Sequence, residues 1–202
     1  MSARDDGPTR AEGTMTTGYP NMGLSRESIS AEQVRRFLVR LRYPHSLVEP
    51  MPPPYADVRV TTPSGRFAVE TREIHWGVGP KGGSPTRRRE EESIRAGAVT
   101  GFWIQPNPIP GIVQAIRSKC GKTYRLHGDE SALWLLLLGA SSAAPASTFV
   151  FTPFLDLGQL SAQAEEQLVH SAFSRCYLFC ELTERGPAIY GWDRDASWQQ
   201  II

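Results

Sequence analysis

The chain has 202 residues, enough for one domain with a sizeable core, and its formal net charge of +1 gives no global signal for a polyanionic partner. Three cysteines argue against a disulfide framework, and with no further zinc ligands nearby, Cys176 and Cys180 are expected to pack as small apolar side chains in a buried strand. Residues 1–30 lack the apolar segment of a signal peptide, and the apolar stretch 132–151 is broken by Gly139, Ser141, Ser142 and Pro145, so no membrane span and a cytoplasmic location are expected.

Residues 1–28 are rich in Gly, Ser, Thr, Asp and Arg with almost no apolar periodicity, which predicts a disordered tail ahead of a single domain over 29–202. Ser30 and Gln33 have the spacing of a capping box. They predict a helix over 31–42, with Val34, Phe37, Leu38 and Leu41 on one face and Pro44 beyond its end. Glu32 reads as a routine acid near that helix start. The proline-rich residues 43–55 predict a connecting loop.

A hairpin follows: 57–62, a turn at Pro63, Ser64 and Gly65, then 66–72. Side chains alternate along a strand. Val58 and Val60 therefore share one face, and Phe67, Val69 and Thr71 share one face of the second strand. If Thr62 and Gly65 flank a two-residue turn, the apolar faces coincide, and Asp57 becomes the direct neighbour of Glu70. A three-residue loop with a bulge at Gly65 would set Val58 against Glu70 and mix the faces, so the apolar pattern favours the first pairing.

Two like charges directly opposite weaken a sheet unless a cation lies between them. Asp57 and Glu70 together form a hard oxygen set suited to Mg²⁺ or Mn²⁺. Arg72 shares the Glu70 face and can hold a phosphate bidentately. Acid, acid and cation on adjacent strands fit metal-assisted phosphodiester hydrolysis. The competing explanation is an exposed hairpin face with ordinary surface ion pairs.

Beyond the hairpin, His75 points by strand parity away from Glu70, which favours a structural role. The glycine-rich residues 76–86 lack the Gly-Lys-Ser/Thr ending of a phosphate loop and read as a loop beside the hairpin end. Arg87, Arg88 and Arg89 precede Glu90, Glu91 and Glu92, opening a helix to about residue 97. Arg87 and Arg88 are candidate phosphate contacts; the alternative is a solvated, charge-balanced face. A helix is predicted over 111–122, with Ile112, Val113, Ile116 and Cys120 on one side. Lys119 and Lys122 lie near its end, where cations suit the helix dipole. Residues 133–138 predict a strand buried on both faces, 148–151 a short strand or extended loop, and 161–173 a helix. Two strands, 176–182 and 188–192, close the pattern, joined by a turn at 183–187. The fold class expected is α/β, a mixed central sheet flanked by helices on both sides.

The hairpin resembles the PD-(D/E)xK nuclease superfamily, with Asp57 as the first acid, Glu70 as the second and Arg72 in place of the usual lysine. Arginine stays protonated and cannot act as a base. The element order over 29–192 is similar to the restriction-endonuclease-like core: a helix, a hairpin carrying the acids, and a helix crossing to a buried strand. The resemblance implies a Mg²⁺- or Mn²⁺-dependent nuclease acting on DNA or RNA. Asp57 and Glu70 would hold the metal, Arg72 would assist catalysis, and Lys119 or Lys122 would reach the site from the helix. The alternative is a catalytically degenerate domain of the same type that binds nucleic acid or protein.

Overall fold

The computed structural model describes residues 26–74, 107–139, 155–180 and 187–202. Helix α1 (Arg26–Arg40) buries Ala31, Val34, Phe37 and Leu38, the stripe that its spacing predicts. It begins inside the stretch expected as a tail, and Ser30 and Gln33 lie within it rather than at a cap. Both face the sheet: Gln33 Nε2 donates to Glu73 Oε1 at 3.3 Å, and Ser30 Oγ lies 3.4 Å from Thr71 Oγ1. Tertiary partners outcompete the local cap. The helix closes through Arg42 at φ 54°, with Arg42 N donating to Val39 O (3.1 Å) and Tyr43 N to Leu38 O (2.9 Å). The Tyr43 ring then packs edge-on against Phe67 and Trp134, so aromatic packing holds a left-handed position usually given to glycine.

Strand β1 (Leu47–Pro50) forms where the prolines predict a loop. Only Val48 is buried, too little alternation to read as a strand, and Pro50 is tolerated because β1 is the sheet edge. It pairs antiparallel with β2 (Val58–Thr62), and β2 pairs antiparallel with β3 (Gly65–Ile74). The hairpin takes the register favoured by its apolar pattern: Val60 faces Phe67 and Val58 faces Val69. Gly65, at φ 133°, adopts a backbone closed to L side chains, while Thr62 Oγ1 accepts from Ser64 N and donates to Gly65 O. These contacts let Pro63 occupy the two-residue turn.

Helix α2 (Ile109–Cys120) leads into β4 (Glu130–Gly139), which pairs parallel with β3. Pro110 suits the first turn, so α2 starts earlier than its apolar pattern suggests. Helix α3 (Leu157–Val169) precedes β5 (Arg175–Cys180), parallel to β4. Asp156 starts α3 before residue 161 by accepting from Gln159 N at 3.0 Å. Strands β6 (Ala188–Asp193) and β7 (Ala196–Gln200) add antiparallel. β7 has a single buried residue, Trp198, and so leaves no pattern in the sequence. The seven strands lie side by side in chain order.

One face of the sheet packs α1 against Val58, Val60, Phe67, Val69, Trp134 and Leu136. The other packs α2 and α3 against Ala68, Leu133, Leu135, Leu137, Cys176 and Leu178. β4 is thus buried on both faces, as its unbroken apolar run predicts. At the β7 edge, Glu165 Oε1 accepts from Trp198 N at 3.3 Å, satisfying an edge donor. No described helix is long and apolar enough to cross a membrane. His75, the glycine-rich loop 76–86, Arg87, Arg88, the helix expected to about residue 97 and the segment 148–151 lie outside the described residues.

Leu135 is fully buried at the centre of the sheet. Leu135→Ala is expected to cost about 2–5 kcal/mol through lost transfer energy and a residual cavity. Urea unfolding should show a lower midpoint with an unchanged slope.

Candidate active site

Along β3 the side chains facing α2 are Ala68, Glu70, Arg72 and Ile74. Three are buried; Arg72 is exposed. Glu70 is only 5 % exposed and sits opposite Leu135 in the β3–β4 register. A carboxylate there needs a partner, because desolvating an unpaired charge costs several kcal/mol. Lys119 provides it: its Nζ donates to Glu70 Oε1, and the lysine is 7 % exposed. Helical geometry explains the reach. Ile112, Ile116 and Lys119 follow i, i+4, i+7 spacing, so Lys119 extends the buried stripe of α2 instead of pointing to solvent. That spacing was the available sequence signal; the helix-dipole explanation does not account for a lysine buried on the inner face.

Asp57 lies just beyond the start of β2, at the position opposite Glu70 in the continued register. β3 runs further than β2, so the Thr71 N–H has no strand partner there. The Asp57 carboxylate takes that role: Oδ2 accepts from Thr71 N at 2.8 Å and from Thr71 Oγ1 at 2.7 Å. Charge-assisted bonds of this kind fix the carboxylate firmly. Each acid is therefore held separately, Asp57 by Thr71 and Glu70 by Lys119.

Tyr124, in the loop after α2, brings both acids to bear on one group. Its hydroxyl donates to Lys119 O at 3.3 Å, and its ring packs at a tilt on Phe173. Burial, followed by the Glu70 and Asp57 carboxylates, pushes the Tyr124 pKa well above the ordinary tyrosine range. Tyr124 thus remains a neutral hydroxyl under the influence of both carboxylates. Loop position carries no periodicity, so the sequence offered no signal for it.

The loop after α2 is anchored by a second, half-buried pair, Arg59 Nε to Glu130 Oε1 at 2.9 Å. Glu130 Oε2 also accepts from His127 N at 2.7 Å. Glu130 holds Arg59 more firmly in its charged form.

Glu70 and Lys119 are thus in direct contact, while Asp57 is the neighbour of Glu70 by strand register, its carboxylate turned to Thr71, whose hydroxyl also meets Ser30 of α1 on the other sheet face. Arg72 lies on the Glu70 face of β3, exposed and without a described partner. Lys122 is exposed, and only its backbone N–H, bonded to Lys119 O at 3.1 Å, ties it to the site. Glu32 serves surface pairs with Arg35 and Arg36. Burial pushes the Cys176 thiol well above its usual range and Cys180 up to about 12, consistent with inert apolar packing. An open groove of about 380 Å³ lies at the other end of β3, beside Tyr43 and Trp134. Its arginines are already engaged: Arg66 by Asp129, Arg175 by Asp193, and Arg194 by the Ser171 and Phe173 carbonyls.

Among the described residues no group of three or more His, Cys, Asp or Glu converges on a metal position. The carboxylates at neighbouring register positions are Asp57 and Glu70, while Glu73 accepts from Gln33 of α1. The Asp57 and Glu70 set still suits Mg²⁺, which binds through one or two carboxylates and keeps several waters. No protein-family model matches the chain, and no curated protein or solved structure matches it.

Removing one partner of a buried pair leaves an uncompensated charge. Lys119→Met alone is expected to cost about 3–5 kcal/mol, and adding Glu70→Leu to recover most of that loss. A urea-unfolding double-mutant cycle checks this; simple additivity would contradict a coupled pair.

Proposed function

We propose that the protein is a divalent-metal-dependent phosphodiester hydrolase acting on nucleic acid, of the PD-(D/E)xK type. The observation that carries this reading is the buried Glu70–Lys119 pair, with Asp57 at the register position next to Glu70 on the adjacent strand. It supports a set of acid, acid and lysine, with the lysine supplied by α2 instead of by the strand position that Arg72 occupies. The element order also supports it: α1, a hairpin carrying both acids, and α2 leading into the doubly buried β4.

Asp57 and Glu70 would hold Mg²⁺ or Mn²⁺, which when bound polarises the phosphate and makes a bound water more acidic. Thr71 keeps the Asp57 carboxylate oriented. Lys119 orients Glu70 and keeps a fixed positive charge where negative charge develops on the phosphate oxygens. Arg72, exposed on the same strand face, can grip a neighbouring phosphate.

A second reading is a degenerate domain that binds nucleic acid or protein without cleaving it. The observation favouring it is that Glu70 is already neutralised by Lys119. Metal titration against labelled single- and double-stranded DNA and RNA separates the two. The hydrolase reading predicts Mg²⁺- or Mn²⁺-dependent cleavage that falls at least about 100-fold in Asp57→Asn, Glu70→Gln and Lys119→Met, each assayed where it remains folded. Arg72→Ala should raise KM more than it lowers kcat. Undiminished cleavage in Asp57→Asn and Glu70→Gln would overturn the assignment, and metal-independent binding without cleavage would favour the second reading.

A further inference from the structure

Tyr55 and His127 come from separate loops and stack on each other, with ring centroids 4.3 Å apart and planes 24° apart. Both rings are half-buried, and neither belongs to either hydrophobic core. The two loops are joined by a parallel bridge between Tyr55 and Arg125. Tyr55 stands two residues before Asp57, and Arg125 directly follows Tyr124. The stack therefore borders the region of the two acids. The loop that carries His127 also carries Leu126, 42 % exposed, and Arg125 and Lys122, both exposed with no ion pair among the described residues.

This combination has a specific chemistry. A half-buried aromatic pair outside both cores offers ring surface on which another planar group can stack. Exposed cations beside it complement a polyanion. Bases present flat π faces to aromatic side chains only when they are unpaired. We propose that Tyr55 and His127 form a stacking platform for an unpaired nucleobase, with Arg125 and Lys122 gripping the adjoining phosphates, so that the partner is single-stranded nucleic acid. This rests on the hydrolase reading for its purpose, but the platform binds without catalysis.

Fluorescence anisotropy in EDTA tests it, using a labelled 20-nucleotide oligothymidine, an abasic strand of the same length and a blunt duplex. The full chain should bind the base-bearing strand roughly tenfold or more tighter than the abasic strand. Tyr55→Leu and His127→Ala should each remove that preference, and Tyr55→Trp should keep it. Arg125→Ala with Lys122→Ala should weaken both strands alike. Equal affinity for base-bearing and abasic strands overturns the proposal. So does a Tyr55→Leu protein that loses stability but keeps the preference, since the stack would then be only a clip between loops. Preferential binding of the duplex, or no nucleic-acid binding at all, overturns it too. A wild type with the platform preference but no Mg²⁺-dependent cleavage would remove the hydrolase reading alone. Cleavage of bis(p-nitrophenyl) phosphate with no strand preference would remove the platform alone.

Discussion

A glutamate on the inner face of a central strand, facing a helix, is the constraint around which this site is arranged. Glu70 sits on β3 opposite Leu135 and between Ala68 and the exposed Arg72. Its charge is tolerated only because Lys119 arrives from α2, on the same stripe as Ile112 and Ile116. The pair therefore ties the position of α2 to that of β3. The loop that follows α2 returns Tyr124 to the Lys119 carbonyl and leads into β4. A well-packed apolar pair would serve stability as well or better, since desolvating two charges offsets most of their attraction. Stability alone is thus a poor reason for Glu70 and Lys119 to be there, and this supports a functional one.

Asp57 is held by different means. The ladder of β2 ends at Val58, and the Asp57 carboxylate takes up the Thr71 N–H that no strand residue reaches. Hairpin register and strand-length mismatch together place the first acid, while helix periodicity places the cation beside the second. The two acids then share an effect on one neutral hydroxyl, Tyr124. Beyond them the loops of Tyr55 and His127 are clasped by the Arg125 bridge and anchored by Arg59 and Glu130.

What was legible in the sequence followed from burial with a clear period. The hairpin register could be read because Val58, Val60, Phe67 and Val69 must share a face. β4 could be read because six consecutive residues, 133 to 138, are buried. β1 and β7 were not legible, since each buries only one side chain, Val48 or Trp198. The capping box at Ser30 and Gln33 misled because local chemistry there competes with contacts to Thr71 and Glu73 that only the folded sheet supplies. At the site, Asp57 and Glu70 stood out as acids on a patterned hairpin. Lys119 was visible as a candidate, but its burial depends on α2 packing across β3. Tyr124 and the Tyr55–His127 stack arise from loop meetings that no periodicity encodes.

The proposed hydrolase requires that Asp57 and Glu70 hold a cation with Lys119 alongside. Anomalous diffraction from crystals soaked in Mn²⁺ tests it most directly. One Mn²⁺ peak bound by the Asp57 and Glu70 carboxylates is expected, with Lys119 still alongside, and no peak there in Glu70→Gln. An empty hairpin at saturating Mn²⁺, with the Glu70–Lys119 pair undisturbed, would contradict it and leave the pair a structural tie.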